Sequence, residues 1–168
     1  MEAIFNRRSV RKYTDQPVEG EKVEKILRAA MQAPSAGNQQ PWEFLVVQDK
    51  ESLAKLAKMS PYAGPIAKAP LAIVMLGNSD GLMFPESWEH DMGAAAENAL
   101  LEAVALGLGG VWLGVLPFEE RMDHIRGQFS LPEKVTPFAV LAVGYPDKED
   151  ANHFVDRYKE ERVHYEAY

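Results

Sequence analysis

The sequence predicts a layered domain of the α/β or α+β class. Four short apolar runs have the length of strands, stretches with helical spacing separate them, and the hydrophobic content of 46% is that of a chain with a packed core. At 168 residues the chain has the ordinary size of one domain. We therefore predict a single domain over residues 1–168.

Predicted helices and strands alternate in the first half of the chain. Residues 21–33 are predicted to form a helix, because their apolar side chains recur on one helical face, and Pro34 ends it. Residues 43–48 are a strand candidate, and residues 51–59 have the spacing of a second helix. The run LAIVMLG, residues 71–77, is typical of a strand buried on both faces.

The second half continues the alternation. The alanine-rich residues 88–108 predict a helix packed among other elements at the centre of the fold. A glycine-rich turn leads into a predicted strand over 111–116, which is followed by a helix over 119–129 and a strand over 136–145.

The last stretch, residues 147–168, is charged and rich in aromatic residues but shows neither a helical nor a strand period. A segment of this length without a fold of its own is unusual in a compact domain. We expect this tail to reach a partner subunit in a symmetric dimer, and a disordered end is the alternative.

Composition excludes several classes of partner and site. Residues 1–14 carry four cations and Glu2, which gives this segment a charge of +3. The rest of the chain therefore has a charge of −10, and the two sum to the net charge of −7. This acidic body argues against nucleic acid and anionic membranes as partners. With no cysteine, redox chemistry would need a bound organic cofactor or a metal held by other side chains. No apolar run reaches about 18 residues and no signal peptide is evident, so a cytoplasmic location is expected.

The stretch NRRSVRKY places three guanidinium groups close together near the start of the chain. Arg7, Arg8 and Arg11 surround the Ser9 hydroxyl, and this set suits the oxygen atoms of a phosphate. A solvated basic turn is the alternative interpretation.

The uncharged loop PSAGNQQPW, residues 34–42, has more polar side chains than a turn requires. Asn38, Gln39 and Gln40 offer hydrogen-bond donors and acceptors without charge, which suits the edge of a heterocycle with alternating N–H and C=O groups. A plain connection between helix and strand is the alternative.

Two glycine-containing stretches are partly similar to motifs of other enzyme classes. GLGGVWLG, residues 107–114, ends a helix and opens a strand, which is the reverse of a dinucleotide-binding fingerprint. Gly114 lies within that strand, where a missing side chain often marks the close approach of a flat group. GNSDG, residues 77–81, matches the nucleophile elbow of serine hydrolases, but Pro85 follows where the helix of the elbow should run. The scattered histidines show no metal-ligand spacing.

Taken together, four stretches of the sequence resemble the nitroreductase-like family of flavin enzymes. In chain order they are RRSVRKY, PSAGNQQPW, GLGGVWLG and the strand end VGYP. The resemblance covers nearly the whole chain. It implies an α+β fold with a central, mainly antiparallel sheet flanked by helices. It also implies a homodimer that exchanges terminal segments and holds FMN in two pockets between the subunits.

The resemblance implies roles for the basic residues by their place in the matching motifs. Arg7, Arg8 and Ser9 would contact the FMN phosphate or ribityl chain, and Arg11 would approach the N1/O2 edge of the ring. Arg157, in the tail, would return to the phosphate.

The loop and the strand after the central helix would complete the pocket. Asn38 and Gln40 would address the polar edge of the ring, while Pro34 and Ser35 would come from the partner subunit. The backbone of the neighbouring residues Leu113 and Gly114 would lie near ring N5.

The implied activity is a ping-pong NAD(P)H oxidoreductase. NADH or NADPH would deliver hydride to flavin N5, and a nitroaromatic, quinone or similar small acceptor would then take the electrons. The flavin carries the chemistry, so no side chain is predicted to be catalytic. The alternatives are an FMN-binding storage or sensor protein without turnover and, further away, a serine hydrolase that uses the GNSDG stretch.

Overall fold

The computed structural model describes residues 2–168, which contain six α-helices and four strands. The helices are Glu2–Asn6 (α1), Gly20–Met31 (α2), Lys50–Leu56 (α3), Gly64–Lys68 (α4), Trp88–Ala105 (α5) and Glu119–Phe129 (α6). The strands are Trp42–Val47 (β1), Leu71–Asn78 (β2), Gly109–Gly114 (β3) and Val135–Gly144 (β4). Short 3₁₀ turns lie at Ala36–Asn38, Ala57–Met59, Pro85–Ser87 and Glu160–Arg162. None of the helices in residues 2–168 combines the length and the apolar character that crossing a membrane requires.

All eight predicted helices and strands are present, and their ends differ from the prediction by up to three residues. Differences of three residues occur at the ends of α3, where the 3₁₀ turn Ala57–Met59 follows, and of α5, which stops at Ala105 because Gly107 adopts a left-handed conformation with φ of 79°. The sequence does not predict α1 and α4. Each has five residues, and such a segment is too short to show a helical period.

The four strands form one antiparallel sheet in the order β1-β2-β4-β3. The α+β class with an antiparallel sheet, as the resemblance implies, is confirmed. The central strand β2 is buried on both faces as predicted, although its neighbours are antiparallel rather than parallel. Strand β3 lies at one edge, and Ser9 bridges to Gly110 on its outer side.

Side chains that alternate along the central strands contribute to two cores. Ile73 and Leu141 pack on one face of the sheet with apolar residues of α2 and α5. Val74 and Val140 pack on the other face with residues of α3, α4 and α6. Helices therefore cover both faces of the sheet, and this explains why an antiparallel sheet carries continuous apolar strands.

The tail, residues 147–168, has no helix or strand beyond its 3₁₀ turn. It starts against the body of the domain, where Asn152 donates to the carbonyl oxygen of Leu108 at 2.9 Å and accepts from the Arg8 amide at 3.2 Å. Further along, Tyr158 and Tyr165 are 70% and 81% exposed. The aromatic side chains of the tail are thus not used by the core of their own chain.

Candidate functional site

Three arginines and one acidic residue, Asp156, are among the residues that line a cavity of about 310 Å³ between α1, the segment after it and the tail. The arginines outnumber the carboxylate. They are Arg7, Arg8 and Arg157, so the fold brings the tail arginine to the first two basic residues of the chain. Burial lowers the pKa of Arg8, and the charges of Arg157 and Arg7 lower it further. The cluster therefore favours a negatively charged occupant.

Arg8 is the residue of this cluster with unused hydrogen-bond donors. Its Nη1 atom donates to the carbonyl oxygen of Arg7, but its Nε and Nη2 atoms are buried without a partner. Arg7 differs, because its Nε atom lies 3.3 Å from a carboxylate oxygen of Glu97 on α5. Two donor atoms without an acceptor, on a residue that lines a cavity, suit the oxygen atoms of a ligand.

The remaining polar residues of the first segment are exposed at the surface. Arg11 donates from Nη1 to the carbonyl oxygen of Ser9 at 3.1 Å and has no contact with the Arg8 cavity. Ser9 itself lies at the edge of β3 opposite Gly110. Both residues are thus next to the edge strand rather than within the cavity.

Strand β3 presents free backbone at this edge. The carbonyl oxygen of Gly110 faces away from β4, where it accepts from the Val10 amide at 3.0 Å. Hydrogen-bonding direction alternates along a strand, so Gly114, four residues later, faces the same way. A side chain built on Gly114 would meet no atom within 4 Å, whereas the Leu113 side chain packs into the core. The edge at Gly114 therefore has room for a flat group and an amide directed at it.

The Gly114 carbonyl has a partner of its own. Arg121, in the first turn of α6, donates to it from Nη1 at 2.6 Å. The guanidinium of Arg121 also lies 4.0 Å over the ring of Phe118. Arg121 is not predicted from the sequence, because the contact joins a strand end to the following helix and leaves no periodic pattern.

The amide loop is held in an unusual backbone conformation. Gly37, Asn38 and Gln40 have φ values of 55°, 58° and 49°. Hydrogen bonds inside the loop support this shape: the Ser35 hydroxyl accepts from the Gln40 amide at 3.1 Å, and Gln40 Nε2 donates to Asn38 Oδ1 at 3.0 Å. Asn38, Gln40 and Pro34 are exposed, so this rim is available to a ligand or a second chain.

A buried carboxylate anchors the same loop from below. Asp91 on α5 is 4% exposed and accepts from the Ala36 amide at 2.9 Å and from Gln39 Nε2 at 2.7 Å. The Gln39 side chain also forms two hydrogen bonds with the backbone of Phe84, at 3.1 and 3.0 Å. Gln39 is therefore a structural residue of the loop. An acidic residue within an alanine-rich helix was the feature that could have indicated this anchor.

Within one chain the amide loop and the arginine cluster lie at opposite corners of the sheet. The loop precedes Trp42, which pairs across β2 with the start of β4, whereas the cluster adjoins Gly110 near the start of the far edge strand. Three strand spacings and about seven residues separate them, or roughly 25 to 30 Å. By contrast, Gly114 lies only four residues along the same edge from Gly110, about 14 Å. The edge of β3 and the arginine cluster can share one elongated ligand, and the loop of the same chain cannot join them.

The hydrolase alternative finds no support in the geometry. The Ser79 hydroxyl donates to the carbonyl oxygen of Lys134 at 3.2 Å, and a turn rather than a helix follows it. In the part of the chain that the structure describes, no group of three or more His, Asp or Glu residues is placed to hold a metal ion.

Comparison with known proteins agrees with the order of these motifs. The model of the nitroreductase family matches residues 4–80 and 62–145 of this chain. The chain belongs to the nitroreductase family. A relative from Archaeoglobus fulgidus, provisionally named an NADH dehydrogenase/NAD(P)H nitroreductase, is 43% identical over 170 residues, which cover 100% of this chain and 98% of the relative.

Solved structures of similar proteins extend the comparison to the fold. One from Clostridium acetobutylicum, provisionally described as an NADH oxidase, has a TM-score of 0.95 at 53% identity and covers 99% of each chain. A second, from Desulfovibrio desulfuricans, is described as a nitroreductase in complex with FMN, with a TM-score of 0.83 at 31% identity. It covers 99% of this chain and 96% of that one. The similarity of this nitroreductase-family chain to these structures thus extends over 99% of its length.

Proposed function

We propose that this protein is an FMN-dependent NAD(P)H oxidoreductase whose two cofactor sites are each built from two copies of the chain. The observation that carries the proposal is the pair of buried, unpartnered donor atoms on Arg8, Nε and Nη2, in a residue that lines a cavity with Arg7 and Arg157. Family membership and the FMN named for relatives support the cofactor.

The arginine cluster fits the phosphate of FMN. A phosphate supplies the oxygen acceptors that Arg8 Nε and Nη2 lack, and its negative charge offsets the mutual repulsion of three guanidinium groups. Arg157 holds the phosphate from the tail, and Ser9 lies close enough in the chain to reach the adjoining ribityl hydroxyls. The charge of the site is thus matched to the charged end of the cofactor.

The edge of β3 fits the ring end. An extended molecule anchored at the arginine cluster runs along this edge to Gly114, where the glycine leaves space and an outward-facing amide. The amide can donate a hydrogen bond to a ring nitrogen. Arg11, which is exposed and bonded to the Ser9 carbonyl next to this edge, would supply a cation toward the ring.

The amide loop that completes each pocket comes from the partner chain. It is too far from the arginine cluster of its own chain, and its exposed Asn38 and Gln40 are suited to the uncharged, hydrogen-bonding edge of the ring. Pro34 and Ser35 lie at the start of this exposed rim. A homodimer with exchanged tails also covers aromatic side chains, such as Tyr158, that one chain leaves in water.

FMN, when bound, accepts a hydride from NADH or NADPH and passes electrons to a small acceptor such as a nitroaromatic or a quinone. The protein's residues contribute binding and orientation. The guanidinium groups fix the phosphate end, the Gly114 amide and the partner's loop fix the ring, and one ring face stays open for donor and acceptor in turn. Such a shared face accounts for a ping-pong sequence.

The first test is the absorbance spectrum of the purified protein before and after addition of NADH or NADPH. We expect a yellow protein whose flavin bands bleach on reduction and return when a quinone is added. A colourless protein that takes up no FMN would overturn the proposal. A flavin that stays oxidised with both nucleotides would instead favour a storage or sensor protein.

A second test asks whether two chains build each site. Arg8→Ala damages the phosphate end and Asn38→Ala damages the loop, so each variant alone has two defective sites. A heterodimer of the two contains one site with both defects and one with neither. Mixing equal amounts of the variants under dissociating conditions makes half of the restored dimers heterodimers, so about a quarter of the wild-type FMN content should be recovered. No recovery would show that both residues act within one chain.

A further inference from the structure

Arg121 is the charged residue in closest contact with the free edge of β3. Its guanidinium donates to the Gly114 carbonyl at 2.6 Å and stacks over Phe118, so two contacts fix its position. The hydrogen bond links the start of α6 to the last residue of β3.

The charge of Arg121 is not neutralised by an acidic partner. Glu119 and Glu120 precede it in the chain, yet in residues 2–168 no carboxylate oxygen lies within 4.0 Å of its guanidinium. The carboxylate of Glu119 is instead directed to Arg126, at 3.9 Å. A guanidinium does not lose its proton in proteins, so Arg121 is a permanent positive charge beside Gly114.

The contact also fixes a glycine at the point where the strand ends. Gly114 has no side chain to restrict it, and it pairs with Ala139 only on its inner side. A charged donor on its carbonyl holds the outward-facing peptide in place. Arg121 therefore fixes the Gly114 carbonyl, and with it the peptide that joins β3 to Val115.

We propose that Arg121, held on the Gly114 carbonyl, is a fixed cation beside the flavin site that stabilises the negatively charged, reduced cofactor through its own charge. This inference rests on the proposed function, since it requires FMN along the edge of β3. A fixed cation favours an adjacent negative charge most strongly where water is partly excluded. Arg121 thus sets how readily the bound flavin accepts electrons.

The test is the midpoint potential of bound FMN in three variants. Arg121→Gln can still donate to the Gly114 carbonyl but has no charge, whereas Arg121→Lys keeps the charge. Arg126→Gln is the control, because it removes a guanidinium from the same helix whose charge Glu119 and Asp123 already pair. We expect Arg121→Gln to weaken binding of reduced relative to oxidised FMN by about tenfold, which corresponds to a potential lower by about 30 mV for two electrons.

The other variants decide how that shift is understood. Arg121→Lys should stay near the wild-type potential, and Arg126→Gln should match it. A wild-type potential in Arg121→Gln, or an equal shift in Arg126→Gln, would overturn the role of Arg121 while leaving a yellow, reducible protein and the proposed function intact. If Arg121→Gln does not fold, as shown by circular dichroism, Arg121→Met, which also removes the charge, decides: a lowered potential supports the role and a wild-type one contradicts it.

Discussion

The carboxylate of Asp91 accepts a hydrogen bond from the side-chain amide of Gln39 at 2.7 Å, deep beneath the exposed loop. The same carboxylate accepts from the Ala36 amide, and Gln39 continues to the backbone of Phe84. One buried charge on α5 therefore holds the loop and the segment before α5 in a single arrangement. Side chains on the outer rim of the loop can face a ligand because this inner side is fixed.

Replacing Asp91 by Ala should destabilise the fold and loosen the loop. Two donors lose their acceptor, at a cost of about 1 to 3 kcal/mol each when buried, so the free energy of unfolding should fall by about 2 to 6 kcal/mol. Asp91→Asn keeps one oxygen acceptor and should lose less. Urea denaturation measures both, with Glu89→Ala on the exposed side of α5 as the control. Equal stability of Asp91→Ala and Glu89→Ala would contradict the anchoring role.

Gly77 is a position where only glycine fits. A Cβ built there would lie 2.3 Å from the Trp88 ring. Gly77→Ala must displace that indole from the core and should lower the free energy of unfolding by about 1 to 3 kcal/mol. Gly127 on α6 is the matched control, since a Cβ there meets nothing within 4 Å and Gly127→Ala should raise helix stability by up to about 1 kcal/mol. Thermal unfolding of the two variants should therefore shift in opposite directions.

Arg8→Ala should weaken FMN binding by tenfold or more, because it removes the guanidinium with two unused donors. Arg28→Ala is the control, since Arg28 is exposed and paired with Glu24 on α2. Fluorescence titration of the apoprotein with FMN gives both dissociation constants. Equal weakening in the two variants would indicate a general effect of positive charge rather than a phosphate site at Arg8.

Removing FMN should lower the melting temperature of the wild-type protein. A ligand present at 100 times its Kd stabilises the native state by about 2.7 kcal/mol, and this linkage disappears with the ligand. In Arg8→Ala the added FMN should raise the melting temperature less at the same concentration. Scanning calorimetry with and without FMN measures the difference, and an identical increase in both proteins would count against Arg8 as a ligand contact.

Ending the chain at Pro146 should convert the dimer into monomers that hold little FMN. Such a chain loses the exposed aromatic residues of the tail together with Arg157. Arg157→Ala in the full chain separates these effects, because it should weaken FMN binding while the dimer persists. Light scattering reports the mass of each protein. A truncated chain that stays dimeric would disprove exchange of the tails as the basis of assembly.

Much of the fold could be predicted from the sequence because its helices and strands carry clear periods. The run at 71–77 and the alanine-rich residues 88–108 are apolar enough to be central, and they form β2 and α5. The order of strands could not be derived from those periods, since periodicity describes one element at a time. Five-residue helices such as α4 were missed for the same reason.

The candidate site was predictable only where its chemistry is written in adjacent residues. Three arginines within five positions and an uncharged amide loop are visible in the sequence, and their roles toward FMN stay predictions. Asp91, Asn152 and Arg121 were not found, because each acts through one contact between segments distant in space or direction. Gln39 looked like a ligand residue and instead supports the loop from within.

The unpartnered Nε and Nη2 atoms of Arg8 affect which flavins the protein can bind. Riboflavin has the same ring as FMN but ends in a neutral hydroxyl. It would therefore leave the positive charges of the three arginines uncompensated and the two donor atoms of Arg8 without an acceptor. Selectivity between the vitamin and its phosphorylated form would then be decided at the far end of the molecule from the reaction. The pocket would thereby select flavins by their phosphate group rather than by their ring.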